Sequence, residues 1–102
     1  MVAKCRPLWL DVVMAKDKDI ERVLKALANK RRLMIVRLLK KHKMMNVGDI
    51  ATEINLSFRA TSRHLGVLLS AGILEREQQS LNMFYRIHAG LPEIAGRIIS
   101  AL

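Results

Sequence analysis

Aromatic residues are scarce in this sequence: one Trp, one Tyr and two Phe among 102 residues. Its core must therefore be mostly aliphatic, and helical packing of Leu, Ile, Val and Ala suits that supply. Cysteine is scarcer still. Cys5 stands alone, which excludes a disulfide within the chain and fits a reducing, intracellular compartment. No apolar run approaches the roughly 18–20 residues of a membrane span. Near the start, Asp11 cuts off the run Leu8-Trp9-Leu10, too early for the apolar stretch of a signal peptide. The expected location is the cytoplasm, with no membrane partner. Internal repeats, low-complexity tracts and linkers are missing too, so the chain reads as one domain. Its hydrophobic content of 51% excludes a disordered tail.

Acidic residues are half as many as basic ones. There are 9 Asp and Glu against 18 Lys and Arg, for a net charge of +9. That surplus attracts polyanions, either nucleic acid or an anionic membrane surface. Enzyme chemistry finds little footing. The sequence offers no paired carboxylates in an apolar setting, no nucleophile with a nearby His and no glycine loop to cradle phosphate.

Residues 1–16 read as an N-terminal arm or helix. Pro7 suits a first helical turn, and Leu8, Trp9, Val12 and Val13 have helical spacing. Trp9 is a packing anchor, within the subunit or at a subunit contact. Asp17 is the expected cap of a helix to about Ala28, with Ile20, Val23, Leu24 and Leu27 as its apolar stripe. Asn29 caps a second helix, Lys30 to about His42, which buries Leu33, Val36 and Leu39 with help from Ile35 and Leu38. Lys30, Arg31, Arg32, Arg37, Lys40, Lys41 and Lys43 make seven basic residues with no acid between 30 and 43. Most of them suit a solvated face, and one or two suit phosphate contact. A helix lying on a membrane is disfavoured, because the neighbouring helices need this apolar face. Lys40, Lys41 and Lys43 also complement the helix dipole.

Asn46 starts a short third helix, with Asp49 three residues on, close to a capping box. Asn55 suits a left-handed helix stop, and Ser57 caps the next helix, which runs to about Ala71 before Gly72. Two helices joined by so tight a turn form a helix-turn-helix. The period then changes. Residues 73–78 and 83–87 are strand candidates, joined by a short turn over 79–82. A hairpin in this place is a wing. Gly90 and Pro92 introduce a last helix, about Leu91 to Leu102. The fold expected is mainly α with a small β-hairpin: a winged helix-turn-helix over 17–88 and a dimerisation helix over 89–102. Ile94, Ile98, Ile99 and Leu102 are the candidate subunit contacts, with Trp9 and Val13 from the arm. A single module reads a short site, and doubling it sets half-site spacing.

On the helix that starts at Ser57, Thr61, Leu65, Leu68 and Leu69 face the core. Phe58, Arg59, Ser62, Arg63 and Gly66 lie outside, with His64 at the edge. The first turns of a recognition helix are what reach base edges in the major groove. Arg59 and Arg63 point the same way, and an arginine fork matches guanine O6 and N7. Ser62 suits a phosphate or base edge, and Ser57, the cap, is a further candidate DNA contact. Phe58 either meets a thymine methyl or folds back over the turn. His64 suits a half-buried structural place more than a phosphate contact. In the wing, Arg76 and Arg86 are candidates for the DNA backbone. Arg86 can equally pair with Glu75 or Glu77 across the hairpin.

These residues carry a resemblance. The run Leu27-Ala28-Asn29-Lys30-Arg31-Arg32-Leu33-Met34-Ile35-Val36 is followed by Asp49-Ile50-Ala51, then by Leu56-Ser57 leading to Ser62-Arg63-His64-Leu65 and Leu68. Ala71-Gly72-Ile73-Leu74 and Tyr85-Arg86-Ile87 complete the set. Together, over about residues 20–88, they resemble the ArsR/SmtB family of winged-helix transcriptional regulators. The resemblance implies a homodimeric, repressor-type protein that binds an inverted repeat in double-stranded DNA. Metal sensing does not follow. Asn46 and Gly48 stand where many members carry a Cys-x-Cys. The last helix has Glu93 and no His. Cys5, His42, His64 and His88 lack ligand spacing. No cofactor is expected, and no effector is named. Phe58 and Gly66 depart from the polar and basic residues usual at their positions. Two other readings remain: a winged helix used for protein–protein assembly, and a sequence-neutral DNA-coating protein.

Overall fold

The computed structural model describes the backbone from Leu8 to Leu102 and the side chains from Asp17 onward. Cys5 and Pro7, and the side chains of Trp9 and Val13, lie outside the described residues. Among the described residues, five helices and three short strands follow in the order α1 (Leu8–Leu27), α2 (Lys30–His42), β1 (Met45–Asn46), α3 (Val47–Ile54), α4 (Phe58–Ser70), β2 (Leu74–Gln79), β3 (Asn82–Ile87) and α5 (Glu93–Ala101).

The helix boundaries follow from local chemistry. Asn29 Oδ1 accepts from the Arg31 and Arg32 backbone N–H groups at 2.9 and 3.2 Å. That satisfies donors that the first turn of α2 leaves free. Asn46 does the same for Asp49 N at 2.8 Å. Asn55 is left-handed, at φ 54° and ψ 53°. This bend closes α3, and Leu56 N donates back to Ala51 O at 3.0 Å. Ser57 Oγ then accepts from Ala60 N at 3.1 Å and opens α4. Gly72, at φ 76°, turns the chain out of α4 into β2, a backbone state that costs glycine nothing.

The first expected boundary is wrong. Asp17 caps no helix: α1 runs unbroken from Leu8 through it, so no element boundary separates an arm from the domain at residue 16. Asp17 is a good N-cap, but it is also tolerated on an exposed helical position, and here it is exposed. The wing also differs. The sheet has three strands in the order β1-β3-β2, all antiparallel. β1 pairs Met45 with Tyr85 and Asn46 with Phe84. The hairpin is tighter than a four-residue turn, because Gln79 pairs with Asn82. Only Ser80 and Leu81 turn the chain, with Ser80 at φ 57°.

The core is aliphatic apart from Tyr85 and the buried Thr61. Ile35 and Val36 of α2, Ile50 of α3, Leu65 and Leu68 of α4 and Ile73 are all fully buried at 0% exposure. Leu33 is only half-buried; Ile35 takes the central place expected for it. α5 folds onto its own subunit beside α1. Its Ala95 and Ile99 enter the core. Ile99, expected at a subunit contact, is therefore an inward residue. Ile94, Ile98 and Leu102 are half-buried and pack against the edge of the core.

Candidate nucleic-acid interface

α3, the turn at Asn55 and Leu56, and α4 form the helix-turn-helix. α4 has two unlike faces. Thr61, Leu65 and Leu68 are sealed in the core. On the other side Arg59, Arg63 and Gly66 are exposed, and Ser62 is half-buried. Neither Arg59 nor Arg63 has an ion-pair or hydrogen-bond partner among the described residues, so both guanidiniums are free for a ligand. Phe58 is 64% exposed. Most of its ring is open to solvent at the start of α4, next in sequence to Arg59.

Three members of the basic run over 30–43 are committed to carbonyls of other helices, and the sequence does not disclose which. Arg31 Nη1 donates to Ile54 O at 2.6 Å. It thereby ties α2 to the last carbonyl before the helix-turn-helix bend. Arg32 Nε donates to Ala26 O and its Nη2 to Lys25 O, which caps the C-terminal end of α1. Lys40 Nζ donates to Ile99 O and Ser100 O at 3.0 and 3.3 Å. It serves the C-terminus of α5 rather than that of its own helix, with the same favourable dipole. Lys30, Arg37, Lys41 and Lys43 stay exposed. Three of seven cations are thus structural. Each of these contacts crosses from α2 to another helix, 6 or 7 residues back for Arg32 and 23 or more away for Arg31 and Lys40, so the helical period of α2 does not mark them.

His64 is half-buried beside this clamp, with Nδ1 3.2 Å from Arg32 Nη1. A guanidinium only donates, so Nδ1 accepts and the ring proton belongs on Nε2. Burial, then the charges of Arg32 and Arg31, push the imidazole below its ordinary value of 6.5. The unfolded chain therefore takes up this proton first as the pH falls. The stability from neutral His64 is whole above about pH 6.5 and drains away as the pH drops through the folded-state value. Chemical denaturation at pH 7.5 and 5.5 should show a loss in the wild type that is smaller in His64→Gln. Equal losses in both would rule out this histidine as a contributor.

The wing is less free than α4. Arg86 Nε donates to Glu75 Oε1 at 2.6 Å, and Arg86 Nη1 lies 3.4 Å from Glu77 Oε2. The Arg86 hydrogen bond holds the Glu75 carboxyl below the usual carboxylate range. Arg86 is thus engaged across the hairpin, as its alternative reading supposed. His88 Nε2 stands 3.6 Å from the same carboxylate. Arg76 is exposed on β2. At the tip, Leu81 is 95% exposed.

No described helix is long and apolar enough to cross a membrane. Among the described residues, no group of three or more His, Cys, Asp or Glu is placed to hold a metal ion.

Known proteins share both sequence and fold with this chain. Residues 29–76 match the model of the bacterial regulatory proteins of the arsR family. The transcriptional repressor PagR of Bacillus anthracis is 35% identical over 85 residues, which cover 83% of this chain and 82% of that protein. The transcriptional activator HlyU of Vibrio cholerae is 34% identical over 65 residues, covering 64% of this chain and 59% of that protein. Among solved structures, a homodimeric winged helix-turn-helix DNA-binding domain from Mycobacterium bovis, described as a possible ArsR-family transcriptional regulator, superposes with a TM-score of 0.79. It has 33% identity and covers 89% of this chain and 81% of that one. The capped helix-turn-helix, the wing and these likenesses lead to one conclusion: the chain belongs to the ArsR family of bacterial regulatory proteins.

Proposed function

We propose that the protein is a sequence-specific transcriptional regulator that binds an inverted repeat in double-stranded DNA as a homodimer. The observation that carries this reading is the division of α4. Its inner face is locked in the core, while Arg59 and Arg63 project together from the outer face with no partner among the described residues. A rigid helix with two uncommitted guanidinium forks on one side suits guanine edges in the major groove. Phe58 stands beside them to meet a thymine methyl. Ser62 and Arg76 suit the flanking backbone. Ser57 contributes through its cap, which orients the first turn. His64 supports α4 through Arg32, and Arg86 shapes the wing through Glu75.

The dimer reading rests on α5 and α1. Ile94, Ile98 and Leu102 are half-buried within one subunit, Ile20 lies beside Ile94, and Leu24 is 46% exposed. A second copy would cover this apolar surface. Trp9 and Val13 belong to the same helix as Ile20, and they extend the proposal toward its start. A dimer seated on a promoter blocks polymerase, so repression is the proposed sign. HlyU carries the name of an activator, so a promoter–reporter assay decides the sign directly. The reading needs no cofactor: Asn46, at a position where many relatives hold a metal-binding cysteine, is occupied as a helix cap. The site of action would be the cytoplasm.

Selection from sheared genomic DNA of the source at near-physiological salt tests the proposal. Enrichment of one inverted repeat is expected. Recovery without sequence bias would replace the regulator with a DNA-coating protein. Recovery of no DNA would point to a protein-assembly module.

A further inference from the structure

The outer face of α4 does not end at Arg63. It continues through Gly66 and Val67 into an open groove of about 720 Å³, whose far wall is the last two turns of α1. Arg22, Lys25 and Ala26 line that wall. The groove therefore has cations on both sides and a small, partly apolar floor.

The availability of these cations matters more than their number. Arg32 also borders the groove, but its guanidinium is taken up by two carbonyls and by His64. Lys25 Nζ lies 2.7 Å from Glu21 Oε1, an exposed pair within one helix. Such pairs are weak and yield easily to a stronger anion. Arg22 is exposed and has no partner among the described residues. Arg22 and Lys25 are three residues apart, so they share one side of α1.

Gly66 is the second observation. A Cβ built there would meet nothing within 4 Å. Its backbone is ordinary helix, so neither packing nor conformation calls for glycine at this place. The effect of its missing side chain is to leave the groove floor open.

Helix length says what would fill such a groove. α4 has 13 residues, or about 20 Å at 1.5 Å per residue. The major groove of B-DNA is only about 12 Å wide. If α4 enters that groove at an angle with its first turns at the base edges, its second half points toward the phosphate rim. Gly66 and Val67, with Arg22 and Lys25 opposite, stand on that second half.

We infer that the groove between α1 and α4 is a seat for the DNA phosphate backbone, and that Arg22 and Lys25 are phosphate-contacting residues. This rests on the DNA-binding reading above and adds to it a contact from outside the helix-turn-helix and the wing. The contact carries no sequence information. It fixes how deeply α4 sits and contributes affinity that depends on salt.

The experiment measures the affinity of the full chain for its selected operator and for a scrambled duplex across a salt series. Each phosphate contact contributes about 0.9 to the slope of log K against log salt. Arg22→Gln should make the slope shallower by about 1, and Arg22→Gln with Lys25→Gln by about 2, with equal weakening on both duplexes. Gly66→Lys adds a cation where there is room for one, and should steepen the slope by about 1 and tighten binding. A gain of that kind cannot come from misfolding or from loss of the dimer. If the wild type binds no duplex, the regulator reading itself fails. If the wild type selects its operator but all three variants keep its slope, the phosphate seat is overturned and the regulator stands. Weakening confined to the operator would also overturn the seat, since it would mark base contact.

Discussion

Arg59→Ala combined with Arg63→Ala is expected to abolish operator selection while leaving the fold intact. Each well-placed arginine fork on guanine contributes roughly 1–3 kcal/mol of discrimination. Losing both costs about 2–6 kcal/mol, which at 1.4 kcal/mol per decade is about 25-fold or more in affinity for the operator. Binding to a scrambled duplex should fall far less, because that complex rests on charge alone. Both side chains are exposed and touch nothing that the fold requires, so the melting temperature should hardly move. Competition between operator and scrambled duplex measures the ratio. A double variant that still prefers its operator as strongly as the wild type would remove α4 from recognition. Single variants would then show whether the two forks act on separate base pairs, in which case their costs add.

The parts of this architecture that were legible in the sequence are the ones set by neighbouring residues. Asn29, Asn46 and Ser57 accept backbone N–H groups two or three residues ahead, and Asn55 and Gly72 take up left-handed backbone at helix ends. Each is a bargain struck within one turn of chain, so residue type and spacing suffice to find it. The inner stripe of α4 was legible for the same reason: Thr61, Leu65 and Leu68 recur at helical period. Asp17 shows the limit of local signals. A residue that can cap a helix can also ride on its exposed side, and only the helical run upstream, from Leu8, decides between the two.

What stayed hidden depends on distance along the chain. β1 is two residues long and exists only because Met45 and Asn46 meet Tyr85 and Phe84. No period can appear in two residues. Arg31, Arg32 and Lys40 look like members of one solvated basic face, yet each reaches a carbonyl at the end of another helix. Ile99 and Ile98 are adjacent and equally apolar, and only the docking of α5 beside α1 sends one inward and leaves the other half-covered. The groove opposite Gly66 belongs here too. Arg22 and Lys25 gain meaning only when α1 is laid against α4, some forty residues further on.

The largest loss of stability should come from the opposite face of the same helix. Leu65 is 0% exposed and lies in the core cluster with Ile35 of α2 and Ile50 of α3. Leu65→Ala removes buried methyl groups and leaves a void that rigid helices on several sides cannot close. Such changes cost about 2–5 kcal/mol. A domain of this size has only about 5–15 kcal/mol in total, and each kcal/mol lowers the melting temperature by roughly 4–8 °C. The variant should therefore melt at least 8 °C or so below the wild type. Its operator discrimination, measured well below that melting point, should survive, because Arg59 and Arg63 keep their side of the helix. Leu65→Ala and the double arginine variant thus form a reciprocal pair. One loses stability and keeps selection; the other loses selection and keeps stability. A Leu65→Ala protein that melts like the wild type would mean that α4 is not anchored through this residue. A Leu65→Ala protein that is folded but blind to its operator would mean that recognition depends on the exact seating of the helix as well as on its outer side chains.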